Sequence, residues 1–306
     1  MADDAIPFDR SLDAKTNTLV QVSPLVRRII AGNGGPFTFT GTCSYIVGHR
    51  DVTIIDPGPP DAMHRDALLS ALGGATLKHI LVTHTHRDHS PGAAALKAAT
   101  GAAIMGCAPY RSPNTAVSPE TQMTDASHDR HFVPDAILTE GATIEGPDYR
   151  LTTVATPGHT SNHLAFALAQ EDALFSGDHV MAWSTTMVAP PDGSMRAYMA
   201  SLEKLQARSE IVYWPGHGGP VRNPVRFVRA LAHHRRQREH SILNRLKAGD
   251  QSIDMIVRNV YEGLAPALRG AAAVSVLAHL EDMIERGLVH VDDEAGSSAR
   301  YRPAVT

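Results

Sequence analysis

The chain has 306 residues, enough to bury a sizeable core as one large domain or as one domain with a smaller companion. Hydrophobic residues at 43% and charged ones at 20% are ordinary for a soluble globular protein, and no apolar run approaches the roughly 18 residues that a membrane-spanning helix needs. Residues 1–225 hold 16 Lys+Arg against 22 Asp+Glu, and residues 226–306 hold 12 against 10, so the larger part offers no global basic field to nucleic acid.

The first ten residues are acidic and are not followed by the apolar stretch of a secretion signal. Cys43 and Cys107 are too few for a disulfide framework, and a reducing cytoplasm is expected, with no membrane attachment. Short β-type runs then alternate with turns at 19–22, 26–31, 37–47 and 52–56, separated by Asn33-Gly-Gly and Gly48-His-Arg-Asp51. Asp56-Pro-Gly-Pro-Pro60 ends the last run, and 61–72 reads as a helix closed by Gly73-Gly74. A strand at 77–83 leads into a histidine cluster. Ser90 is expected to cap the next helix, with Pro91 at its first position and Gly101 at its end. A strand at 102–105 follows, and 109–134 reads as a long surface loop rich in Pro, Ser, Thr and Asp.

A second β-rich half follows, with strands at 143–144, 149–155, 164–168 and 173–176, a helix at 198–207 and a last strand at 211–214. Strands followed by a helix, occurring twice, suggest two sheets between outer helices. From about residue 225 the pattern turns helical: 225–247 closed by Gly249, a helix capped by Ser252, and a third at 271–286 stopped by Gly287. Runs at 288–291 and 299–302 flank the turn 292–296, completing a winged-helix-like module. The expected division is a catalytic domain at 1–225 and a small C-terminal α+β domain at 226–306. The run Arg226, Arg229, Arg235, Arg236 and Arg238 reads first as a solvated helix face.

The chemistry is concentrated in Thr83-His84-Thr-His86-Arg-Asp88-His89-Ser90. The strand has just ended, so His84 and His86 project to one side, and Asp88 and His89 fall in the loop before the helix. Imidazole and carboxylate together suit Zn²⁺, with Fe and Mn as alternatives. Four ligands this close in sequence do not converge easily on one tetrahedral ion, so two ions completed by distant residues are expected. The candidates are His159 in Pro157-Gly-His, Asp178 in Ser176-Gly-Asp and His217 in Pro215-Gly-His-Gly218, each beside a glycine that lets the backbone turn sharply.

His-x-His-x-Asp-His followed by Pro-Gly-His, Gly-Asp and Gly-His-Gly resembles the metallo-β-lactamase superfamily over roughly residues 15–225. The resemblance implies an αββα sandwich with metals at the edge of its two sheets. By it, His84, His86 and His159 match the first metal site, Asp88, His89 and His217 the second, and Asp178 the bridging carboxylate. Aspartate at that place resembles the hydrolase branch with glyoxalase II and RNA-processing nucleases, where many true β-lactamases have Cys. Asp56 matches a family position that orients a metal-bound histidine, although a plain turn residue reads equally well there. Thr160-Ser-Asn-His163, Pro190-Pro-Asp-Gly193 and the C-terminal module are similar to lactamase-like proteins that include a single-strand-specific endoribonuclease. Cys43 stands where many relatives carry Asn, which leaves substrate contacts there open.

The expectation is a binuclear zinc hydrolase that uses a metal-bound hydroxide on a small ester or thioester. Asp88 is the candidate to orient the hydroxide, and His163 the candidate to protonate the leaving group. His179, next to Asp178, is expected to point away from the site. Cleavage of single-stranded RNA is the alternative that the arginine run favours, and a mononuclear iron persulfide dioxygenase is a third. The exposed side of the last helix carries Glu281, Asp282 and Glu285, which would repel phosphate. The module is therefore expected to pack on the catalytic domain or to build a homodimer.

Overall fold

The computed structural model describes residues 5–112, 127–292 and 296–304; most of the expected surface loop and the centre of the last turn lie outside them. Two sheets face each other. The first takes its strands in chain order, β1 (Val20–Gln21), β2 (Val26–Ile30), β3 (Cys43–Val47), β4 (Asp51–Ile55), β5 (Thr76–Val82), β6 (Ala103–Gly106) and β7 (Ala136–Ile137). It is antiparallel as far as β4 and parallel from β4 to β7. The second runs β13-β12-β11-β10-β9-β8, with β8 (Thr143–Glu145), β9 (Arg150–Ala155), β10 (Leu164–Leu168), β11 (Ala173–Gly177), β12 (Val212–Pro215) and β13 (Val221–Arg222). Only β11 and β12 are parallel there, joined by the crossover helix α3 (Met195–Gln206).

Strand β10 shows how the layers form. Leu164, Phe166 and Leu168 point between the sheets and pack with Tyr45, Ile54, Leu81 and Phe175. Ala165 and Ala167 point the other way, against Tyr198, Leu202 and Leu205 of α3 and Phe227, Val228 and Leu231 of the next helix. Large residues fill the inter-sheet space while small ones let helices approach the outer face. Helices α1 (Ala62–Ala71) and α2 (Gly92–Thr100) cover the first sheet through Leu68 and Leu96. The result is the expected αββα sandwich.

Helix α4 (Pro224–Lys247) opens the C-terminal part and belongs to both cores. Its first half packs on the second sheet and α3, and Ile242 and Leu246 pack with α5 (Ile253–Val260), α6 (Arg269–Glu285) and the hairpin β14 (Val289–Val291)–β15 (Tyr301–Pro303). Each such buried side chain contributes roughly 1.5–3 kcal/mol. Apolar positions dock this helix, whereas an exposed ion pair such as Arg236–Glu203 contributes at most about 1 kcal/mol.

Several expectations are corrected. The run 37–47 is a strand only from Cys43, because residues 35–41 fold into a turn held by Phe39 N to Gly35 O and Gly41 N to Thr38 O. Ser90 does not cap α2: the capping position is Pro91, and Ser90 Oγ donates instead to Asp129. Asp282 is not on an exposed face, being buried in ion pairs with Arg196 and Arg286. Arg235 is also buried, so the arginine run is not one solvated stripe.

Candidate metal centre

The site lies where the C-terminal ends of the parallel pairs β4–β5 and β11–β12 meet. Main-chain bonds stitch the sheets together at this seam: Leu164 N donates to Thr83 O and Cys43 N donates to Gly216 O, both at 2.8 Å. His84, His86, Asp88 and His89 occupy the loop after β5, His159 the loop between β9 and β10, Asp178 the residue after β11, and His217 the second residue after β12. All seven predicted ligands are thereby brought together, in two adjoining clusters.

In the first cluster, His86 Nδ1 lies 3.0 Å from His84 Nε2 and 3.1 Å from His159 Nε2. In the second, His217 Nε2 lies 3.3 Å from His89 Nε2 and 3.2 Å from Asp88 Oδ2. Asp178 reaches both. Its Oδ2 is 3.7 Å from His159 Nε2 and 3.3 Å from His217 Nε2, and its Oδ1 is 3.5 Å from His89 Nε2.

Outer partners fix the histidine tautomers. Thr83 donates to Asp56 through both its main-chain N and its Oγ1, so the hydroxyl is free to accept from His84 Nδ1 at 2.9 Å. His89 Nδ1 donates to Asp56 Oδ2 at 2.9 Å, His159 Nδ1 to Met187 O at 2.6 Å, and His217 Nδ1 to Gly41 O at 3.3 Å. Each arrangement turns Nε2 towards the centre, where it offers a lone pair when the ring is neutral. Asp56 is therefore a buried anchor of the histidine loop and not a plain turn residue, and its backbone sits at φ 52° to make the reach.

The charge pattern suits cations. Burial is the largest influence on His84 and His86 and holds both well below the ordinary imidazole value. Burial opposes charge at His217 too, but Asp178 and Asp88 overcome it and raise that ring to about 9. His89 is likewise raised against burial, by Asp88, Asp178 and Asp56. Asp88 and Asp178 are held well below the carboxylate range against burial by these same two histidines. The carboxylates thus favour positive charge beside His89 and His217, which bound metal would supply while leaving both rings neutral. The donor set fits divalent ions: nitrogen lone pairs converge, and Asp178 Oδ1 is buried without a hydrogen-bond partner. The space is also preserved, since a Cβ at Gly216 would stand 2.3 Å from Asp178 Oδ1 and 2.7 Å from His89 Cε1.

His163 is placed behind the centre. Its Nδ1 lies 2.8 Å from Thr156 Oγ1, and its Nε2 accepts from the main-chain N of Asp178 at 3.2 Å. His179 points away from the centre, buried between His163 and Tyr198, and burial lowers it to about 3. Cys43 is fully buried, with Sγ 3.7 Å from Gly218 O.

Sequence reasoning missed the wall beside His86. His128 stands 4.7 Å from the His86 ring, stacks on Tyr110 at 3.8 Å, and has Nε2 3.3 Å from Asp192 Oδ2. Nothing in the local sequence marks His128, which falls in the stretch expected to be a surface loop; Asp192 had a signal in Pro190-Pro-Asp-Gly193.

Fold and site together define a metal-binding αββα protein, and the profile of the Metallo-beta-lactamase superfamily matches residues 37–217. The chain belongs to that superfamily. A Beta-lactamase associated winged helix domain matches residues 252–297. The chain is 30% identical over 277 residues to a Beta-lactamase-like protein 2 homolog of Caenorhabditis elegans, covering 88% of this chain and 87% of the relative. It is also 30% identical over 244 residues to an atrochrysone carboxyl ACP thioesterase of Aspergillus terreus, covering 74% of this chain and 69% of that protein. Among solved structures, a Beta-lactamase domain protein from Burkholderia ambifaria is similar with a TM-score of 0.79 at 19% identity, covering 96% of both chains.

Proposed function

We propose that the protein is a binuclear zinc hydrolase acting on small acyl thioesters. The observation that carries the two-ion reading is Asp178, whose carboxylate oxygens approach histidines of both clusters. His84, His86 and His159 would hold one ion, Asp88, His89 and His217 the other, with Asp178 between them. When bound, such a pair supplies an acidified water and a Lewis acid for the oxygen that gains charge.

The remaining roles fall to the chain's own residues. Asp88 Oδ2 accepts from Thr42 Oγ1 at 3.1 Å and is 3.2 Å from His217 Nε2, which fixes the carboxylate plane. Its Oδ1 is then the oxygen that holds the proton of the attacking water. His163 has both nitrogens engaged, so it steadies Asp178 and does not protonate a leaving group. A thiol has a pKa of about 8.5 and departs as thiolate without an acid, whereas an alcohol needs one. The engaged His163 therefore favours a thioester over an oxygen ester, as does the thioesterase activity named for the Aspergillus terreus relative. The acidic catalytic part and the burial of Arg235 speak against an RNA groove.

The test is metal analysis of the purified protein, with kcat/KM measured on a generic acyl thioester and on single-stranded RNA across a salt series. We expect about two zinc ions per chain and thioester turnover that is lost to a chelator, restored by zinc and little changed by salt. RNA turnover with a steep salt slope, flattened by about 0.7 for each phosphate-contacting arginine replaced, would make the protein an endoribonuclease instead. One iron per chain with oxygen uptake on a persulfide would make it a dioxygenase.

A further inference from the structure

Between β11 and α3 the chain runs over the outer side of the metal centre, and one residue there touches several of its supports. Thr186 is buried, and its hydroxyl lies 2.7 Å from Asp178 O and 2.9 Å from His179 O, so a single proton is shared between the carbonyls on either side of that peptide link. The next carbonyl, Met187 O, accepts from His159 Nδ1 at 2.6 Å. Two consecutive residues thus set the main chain of the carboxylate that approaches both clusters and the ring of a histidine in the first.

This pair is itself held from outside the catalytic part. Arg235 of α4 reaches inward and donates through Nη2 to Thr186 O. Its guanidinium lies 5.3 Å from the centroid of the Tyr198 ring, and Tyr198 Oη donates to His179 O at 3.1 Å. Arg235 is 4% exposed, forms no ion pair with a carboxylate among the described residues, and has its Nε without a partner. A buried charge without a counter-ion is costly, and an apolar residue of similar volume would fill the same space more cheaply. Docking of α4 is already provided by Phe227, Val228 and Leu231. The charge is spent on one carbonyl, the one belonging to Thr186.

We infer that Arg235 is a positioning residue for the metal centre: through Thr186 and Met187, α4 of the C-terminal part fixes the directions of Asp178 and His159. The inference rests on the reading of these residues as metal ligands and adds that the C-terminal part governs their geometry. Outer partners of ligands change metal affinity by about 10–100-fold when removed. Arg235→Met and Thr186→Val should each weaken zinc binding within that range, and each should shift the visible absorption of the cobalt-substituted protein while the far-ultraviolet circular dichroism stays unchanged. The double variant should lose less than the two single losses combined, because both act on one linkage. Arg236→Ala, one residue on and exposed, should match the parent in every readout.

The measurement is zinc affinity of the metal-free protein by chelator competition, with the cobalt spectrum alongside. If Arg235→Met does not fold, Thr186→Val carries the same expectation. A parent that binds no metal overturns the proposed function itself. A parent that binds metal, with variants of equal affinity and identical cobalt spectra, overturns only this inference, even if their melting temperatures fall.

Discussion

The centre is sensitive to single atoms. Gly216 contributes no side chain, yet the structure allots it the space beside Asp178 Oδ1 and His89. A methyl group there cannot be absorbed by a flexible neighbour, because both atoms it meets belong to buried side chains held by other partners. Gly216→Ala should therefore fold, since its main-chain bonds to Gly177 and Cys43 are kept, but retain less than half of the parent's metal by elemental analysis. Full metal content in the variant would mean that the site has more room than these contacts allow. At this scale the sequence was most legible where the clustered side chains were adjacent. His84, His86, Asp88 and His89 announce themselves within six residues, and glycine marked the other three. Asp56 was ambiguous because its partners Thr83 and His89 stand 27 and 33 residues away, and only the folded chain brings them within reach. His163 looked like a site residue because it follows His159 by four positions. The turn between them folds back, with Thr156 N donating to His163 O, and this rotates the ring behind the centre.

At the scale of elements, the strands and helices of five residues or more were legible from periodicity and punctuation, while β7 and β13, two residues each, were too short to show a period. Helix α4 was legible as a helix but not in its surroundings. A charge-rich stretch reads as exposed by default, whereas this one packs against α3 on one side and against α5 on the other. One consequence can be measured in α6. His279 is 1% exposed, and neither ring nitrogen has a hydrogen-bond partner. Burial, then Arg235, Arg238 and His234 of α4 and Arg286 just past the end of α6, push it down to about 3. An unfolded histidine titrates near 6.5, so below that pH the unfolded chain takes up a proton that the folded chain refuses. The stability that His279 contributes is thus complete above about 6.5 and is lost as the pH falls from there towards about 3. In metal-free protein, melting temperature should fall less steeply between pH 6.5 and 4.5 in His279→Leu than in the parent. Parallel curves would show that His279 is not held neutral.

At the scale of the molecule, the two sheets meet over one extended core, and their ends are closed by the stitches at Thr83, Leu164, Cys43 and Gly216. The two-layer architecture was legible because strands followed by a helix recur twice. The sharing of α4 between the two cores was not, because a boundary drawn where composition changes passes through the start of a helix that serves both sides. The histidines that meet at the seam are far apart along the chain, 73 residues between His86 and His159 and 128 between His89 and His217. Contacts that close such large loops form after the sheets that carry them. Stabilisation that is absent from the folding transition state slows departure from the native state without hastening arrival. Bound ions should therefore act on the lifetime of the fold: in stopped-flow experiments zinc should slow unfolding and leave the refolding rate unchanged. A refolding rate that rises with zinc would place the seam in the nucleus. On the proposed reading, bound metal would hold the protein's shape on a slow clock, and where opened chains are cleaved faster than they reclose, a chelator would set its survival against proteases.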